Sequence, residues 1–323
     1  MLLDVMAHYG LEKEFGYAGF FETEHHRRLF QQLKKAIPHG QLIALSGMVG
    51  SGKTTTLEQL QTMLRKDGKV IVSKSVYVEK NKTTLTTLIT ALFYDISGSK
   101  DYAVPKQGER RDRELQELIR TAKKPVALFI DEAHDLHHHT LTGLKRLMEA
   151  ARDGGGKLSI VLAGHPKLKN DLNNPSMEEV GYRTVTLSLD SMQGSLREYL
   201  LWLLKDCTSE NVKTKNLIDD AAIDLLTEKL STPLQIEKHL TLALEEAYKA
   251  GGQPVTIDIL DLTLSKRIDD LEPTLVRNGY DEKVLGVQFR LKPAEVRRFL
   301  AGDLDAARAH ELVDQMREAG LPI

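Results

Sequence analysis

The run Gly47-Met48-Val49-Gly50-Ser51-Gly52-Lys53-Thr54 combines glycines, where a backbone must wrap closely, with a lysine followed by a hydroxyl. Gly47, Gly50 and Gly52 let the chain curl until the N–H groups of Val49, Gly50, Ser51 and Gly52 face a common point, which is a cradle for an anion. Lys53 adds a positive charge able to reach β- and γ-phosphates. Thr54 offers a hydroxyl to Mg²⁺, and Thr55 follows in the first helical turn. The spacing G-x-x-x-x-G-K-[S/T] therefore asks for a nucleoside triphosphate, ATP, with Mg²⁺ as its counter-ion.

Such a loop needs acidic partners. Asp131 follows directly on the apolar run Val126-Ala127-Leu128-Phe129-Ile130 and suits a water-mediated contact to Mg²⁺. Glu132 beside it would polarise an attacking water as general base. The histidines at 134, 137, 138 and 139 invite a metal reading, but a structural zinc also needs ligands converging from elsewhere, and the lone cysteine is distant. The expectation for these histidines is a solvated loop or helix start.

These residues need rigid supports, and the hydrophobic pattern supplies them. Leu42 to Leu45 reads as a strand running into the glycine loop, and Thr54 to Leu64 as the helix after it. Val70 to Val72 makes a second strand, Val126 to Ile130 a third, Leu158 to Ala163 a fourth, and Val185 with Leu187 marks a fifth. Helical periods occupy Glu24 to Ile37, Thr83 to Ile96, Glu114 to Ala122 and Leu141 to Ala151, with residues 97 to 109 as an exposed loop. Apolar strands alternating with helices predict an α/β fold: a parallel sheet with helices on both faces. The expected organisation is an N-terminal helical segment (1–40), a nucleotide-binding core (41–190), a helical lid (191–265) and a short helical C-terminal segment (266–323).

The chain has 323 residues, 41% hydrophobic and 28% charged, with a formal net charge of -2. That balance excludes an overall basic coat for nucleic acid but leaves room for a local basic track. Cys207 is the single cysteine, so no internal disulfide forms. With no signal h-region and no apolar run of bilayer length, the expected location is the cytoplasm.

Together the phosphate loop, Asp131-Glu132-Ala133-His134, Leu158 to Leu168 with its tip Ala163-Gly164-His165-Pro166-Lys167-Leu168, and Met177 to Arg183 resemble the AAA+ transposition ATPases called TnsC, TniB and MuB. The ExeA-type secretion ATPases share the fourth-strand tip. Gly320-Leu321-Pro322-Ile323 extends the likeness more loosely. Asp-Glu-Ala-His also resembles one helicase class, whose further motifs and second motor domain are not found. The resemblance implies that His165 senses the γ-phosphate and that Arg183 acts on the ATP of a neighbouring subunit. It also implies a lid arginine, and there this chain departs, reading Ser231-Thr232-Pro233-Leu234-Gln235. Either hydrolysis is slow, or Lys238 one turn later substitutes.

The resemblance further implies a regulator of DNA transposition that assembles as a ring or helical filament on duplex DNA when ATP is bound. It would recruit or activate a DDE transposase, answer to a target-selecting partner, and come apart on hydrolysis. Contacts to DNA phosphates would fall to Lys80, Lys82, Lys106, Arg110 and Arg111, which read equally as a solvated charged face. Lys292 to Leu300, the turn at Gly302 and the helix through Leu312, Val313 and Met316 suit a small DNA-binding unit, a dock for a partner, or packing on the lid. The rival readings are an ExeA-like ATPase, a helicase loader, and a nucleotide switch without DNA.

Overall fold

A computed structural model describes residues 1–74, 84–99, 102–189, 192, 194–252, 254–264 and 270–323. Lys80 and Lys82 lie outside the described residues. Among the described residues five strands, β1 (Leu42–Ser46), β2 (Ile71–Lys74), β3 (Val126–Ile130), β4 (Leu158–Gly164) and β5 (Thr184–Ser188), form one parallel sheet in the order β2-β3-β4-β1-β5. The three inner strands are buried along their whole length, whereas the edge strands β2 and β5 are half-buried or exposed at most positions. This is why the inner strands read as continuous apolar runs and the edges do not.

The sheet belongs to a unit of residues Glu24–Gly47 and Lys53–Leu189. On one face Leu42, Ala44, Val126, Leu128, Ile130, Leu158, Ile160 and Leu162 pack with Leu88 and Leu92 of helix Leu85–Ser97, Leu115 and Ile119 of Gly108–Thr121, and Leu141 and Leu144 of His138–Asp153. Alternate residues along each strand turn to the opposite face. There Ile43, Leu45, Phe129 and Val161 are also buried, and helix Lys53–Asp67 packs on β2 and β4. Each such aliphatic side chain removed from water contributes about 2 kcal/mol. Helix Gly108–Thr121 begins within the stretch expected to be a loop. Its first turns are held by the i,i+4 pairs Glu109–Arg113 and Arg110–Glu114.

The second unit comprises Met1–Thr23, Met48–Gly52 and Asp190–Ile323, and its described secondary structure is helical. Val5, Tyr9, Leu11 and Phe15 share a core with Leu200, Leu203 and Leu204 of helix Leu196–Cys207 and with Ile236, Leu240 and Leu244 of helix Pro233–Lys249. Helix Pro233–Lys249 opens on a capping box. The Thr232 hydroxyl accepts from the Gln235 N–H, and the Gln235 side chain accepts from the Thr232 N–H. The helices Leu271–Arg277, Glu282–Gln288, Pro293–Leu300 and Ala306–Glu318 enclose a separate core, with Leu275, Tyr280, Leu285, Val296, Phe299, Leu312 and Met316 buried.

Candidate nucleotide-binding site

The C-terminal end of β1 delivers the chain to the glycine loop, and parallel pairing fixes what stands beside it. Ser46 is in register with Gly164 at the end of β4, and Leu162 of β4 with Ile130 at the end of β3. The residues following β1, β3 and β4 therefore come together at one edge of the sheet, where parallel α/β folds bind ligands. The Gly47 N–H donates to the Gly164 carbonyl at 3.1 Å.

Lys53 is the first residue of helix Lys53–Asp67, at its electropositive end. Its side chain is buried and its ammonium donates to the Gly47 carbonyl at 2.9 Å. Burial pulls its pKa below the ordinary lysine value, against the opposing pull of Glu132 and Asp131. The Thr54 hydroxyl donates to Asp131 Oδ2 at 2.6 Å, so this hydroxyl and carboxylate already meet where the sequence asks for Mg²⁺. The oxygen-only donor pair fits a hard cation. Thr55 is exposed on the next helical position.

In the loop, Gly50 and Gly52 adopt left-handed backbone angles, φ 79° and 86°. Gly50 has a steric requirement as well, since a Cβ there would lie 2.6 Å from Leu234 Cβ and 3.0 Å from Thr232 Oγ1. The Leu234 N–H donates to the Gly50 carbonyl at 3.3 Å, and the Val49 N–H donates to the Arg277 carbonyl at 2.9 Å. The Ser51 hydroxyl is buried without a hydrogen-bond partner among the described residues, as a group shaped for a polar ligand would be. The stretch Ser231 to Gln235, which lacks an arginine, thus supplies a buried Thr232 and a Leu234 against the loop, while Lys238 is exposed.

Glu132 has φ 49°, a left-handed conformation that costs a non-glycine residue about 1 kcal/mol or more. Its N–H donates to Asp131 Oδ1 at 2.9 Å, and its half-exposed carboxylate turns to two imidazoles. Glu132 Oε2 lies 3.3 Å from His134 Nδ1 and 3.8 Å from His165 Nε2. The two rings stack at 3.7 Å with 19° between their planes. Gly164 allows this approach, because a Cβ there would stand 3.1 Å from the His134 backbone nitrogen. Burial lowers the His134 pKa more than Asp135 and Glu132 raise it. His137 instead caps helix His138–Asp153 through its ring nitrogen and stacks on His139.

Arg183 immediately precedes β5 and pairs with Glu149 of helix His138–Asp153, which also pairs with Lys145. Among the basic residues proposed from sequence, Lys106 is exposed. Arg110 is exposed near Glu114, and Arg111 is mostly covered, bonded to Asp112 and to the Thr86 hydroxyl. Sequence reasoning did not find the pairing of His134 with His165, or Thr232, Leu234 and Arg277 beside the loop. Each depends on contacts between residues far apart in the chain.

Residues 37–172 match the AAA domain family (AAA_22). No curated protein matches the chain in sequence. Among solved structures, Cdc6p from Pyrobaculum aerophilum is similar over 95% of this chain and 89% of its own, with 16% identity and a TM-score of 0.56. Drosophila ORC bound to DNA is similar over 97% of this chain and 82% of its own, with 14% identity and a TM-score of 0.55. The Aeropyrum pernix ORC1 protein in complex with DNA covers 97% and 87%, with 16% identity and a TM-score of 0.52. The match to the AAA domain family over residues 37–172, the parallel sheet and the similarity to these structures together show an AAA+ fold of the kind seen in Cdc6 and ORC proteins.

Proposed function

We propose that the protein is an ATP-dependent regulator of DNA transposition that assembles on duplex DNA in its ATP state and is released by hydrolysis. The observation that carries the ATPase part is the meeting of Thr54 with Asp131 beside Glu132 at the end of the sheet that holds Lys53. Lys53 and the glycine loop hold the phosphates, although the Val49 N–H is engaged by the Arg277 carbonyl and the Ser51 N–H by the Met48 carbonyl; Thr54 and Asp131 would hold Mg²⁺, and Glu132 takes the proton of the attacking water. When bound, Mg²⁺ neutralises charge on the phosphate oxygens. His165, at the tip of β4, registers the γ-phosphate.

Assembly follows from Arg183. A guanidinium presented to the phosphates of a neighbouring copy stabilises the charge of the transition state, so turnover depends on neighbours. The residue order around His165 and Arg183 supports the transposition reading, with a DDE transposase as the recruited partner. Two similar folds are described as DNA complexes, which supports duplex DNA as the platform. The fold likeness to Cdc6 and ORC proteins also suits a helicase loader, which would share the core and differ in its partner.

The test is electron microscopy of the protein with duplex DNA and a non-hydrolysable ATP analogue. Rings or filaments on DNA are expected, and nucleotide-bound protein that stays off DNA would reject the proposal. A transposase gene of the integrase type beside this one would favour transposition over helicase loading.

A further inference from the structure

The turn after β3 and the tip of β4 bring together donors unlike those of the Thr54–Asp131 pair. One ligand atom from each of Glu132, His134 and His165 lies within 4.8 Å of the other two. The carboxylate oxygen is 3.3 Å from one imidazole nitrogen and 3.8 Å from another. Around a tetrahedral ion bound at ordinary zinc distances, neighbouring ligand atoms stand about 3.3 Å apart. Two of these separations are thus within about half an ångström of a ligand shell.

We propose that Glu132, His134 and His165 form a binding site for a divalent transition cation of the Zn²⁺ class, with ligands distinct from those of Mg²⁺. Two imidazoles and one carboxylate are a borderline-soft donor set that suits Zn²⁺, Co²⁺ or Ni²⁺, whereas Mg²⁺ takes oxygens. The backbone holds the ligands close. His134 lies in the tight turn Ala133–Asp135, His165 directly precedes helix Pro166–Leu172, and Gly164 has no side chain to separate them. The two rings lie face to face, 3.7 Å apart with 19° between their planes, so both imidazoles stand beside the same carboxylate. Glu132 is half-exposed, so an ion can reach its carboxylate from solvent.

The consequence rests on the reading of Glu132 as the general base. A cation at this site engages that carboxylate, so hydrolysis stops while Lys53 and Thr54 remain able to hold nucleotide.

The test is a Zn²⁺ titration of the full chain without nucleotide or Mg²⁺, in competition with a chromophoric chelator. Visible absorption of bound Co²⁺ reports ligand identity. One ion per chain is expected, with affinity at least about tenfold weaker in His134→Ala and in His165→Ala. The double variant His138→Ala/His139→Ala should bind as the wild type does. Thermal melting checks that each variant is folded, and His134→Gln and His165→Asn replace any that is not. The site is overturned if the wild type binds no ion in this range, if the folded His134 and His165 variants bind normally, or if the double variant loses binding. Zn²⁺ should also inhibit turnover of the wild type more than that of His134→Ala. One bound ion with unchanged turnover would leave the site standing and overturn the assignment of Glu132.

Discussion

Glu132 combines a left-handed backbone with a carboxylate beside two stacked imidazoles. The Asp131 carboxylate divides its oxygens, one to the Thr54 hydroxyl and one to the Glu132 N–H, so the proposed metal-binding and base residues are oriented together. Glu132→Gln is expected to keep nucleotide affinity and lose turnover by about 10²-fold or more, while Lys53→Ala loses affinity itself. Fluorescent-nucleotide binding beside phosphate release separates the two, and normal turnover in Glu132→Gln would reject the base role. Gly47 to Thr54 and Asp131-Glu132 were legible from sequence because their chemistry is written in adjacent residues. The imidazole pair was not, because His134 and His165 meet only through the adjacency of β3 and β4.

At the level of elements, legibility followed burial. β1, β3 and β4 are buried throughout and read as apolar runs, whereas β5 is an edge strand with only Val185 and Leu187 to signal it. The helix Leu3–Tyr9 escaped notice because it contributes just Val5 and Tyr9 as buried residues. Helix Pro233–Lys249 carries an unusual charge, since Glu237 faces the core helix Leu196–Cys207 and accepts from the Tyr199 hydroxyl at 2.6 Å. Burial raises the Glu237 pKa despite that bond. The folded state therefore holds a proton more tightly than the unfolded chain. Stability from this group is complete below the ordinary glutamate pKa and is lost as pH rises through the raised one. Glu237→Gln keeps an acceptor for Tyr199 and removes the titration. Its melting temperature should gain on the wild type as pH rises across that interval, and parallel melting curves at all pH values would contradict this account.

At the scale of the whole molecule, the proposed action of Arg183 on a neighbouring copy makes turnover a property of the assembly. The bond from Arg183 to Glu149 is a surface ion pair, worth about 0–1 kcal/mol, so this bond alone would not hold the guanidinium back from a neighbour's phosphates. Turnover per subunit should rise with protein concentration in the wild type. Arg183→Ala should bind ATP normally and show a low rate at every concentration; a flat wild-type profile would exclude action in trans. The chain's grouping into units could not be read from local pattern, because Met1–Thr23 joins the later helices through contacts across nearly the full sequence. The hydrogen bond from Val49 to the Arg277 carbonyl gives the last helices a role beyond appendage. A chain cut before residue 270 would lose that carbonyl and hand a phosphate-loop amide to water. Shortened forms of this protein would thus differ in their nucleotide loop as well as in length.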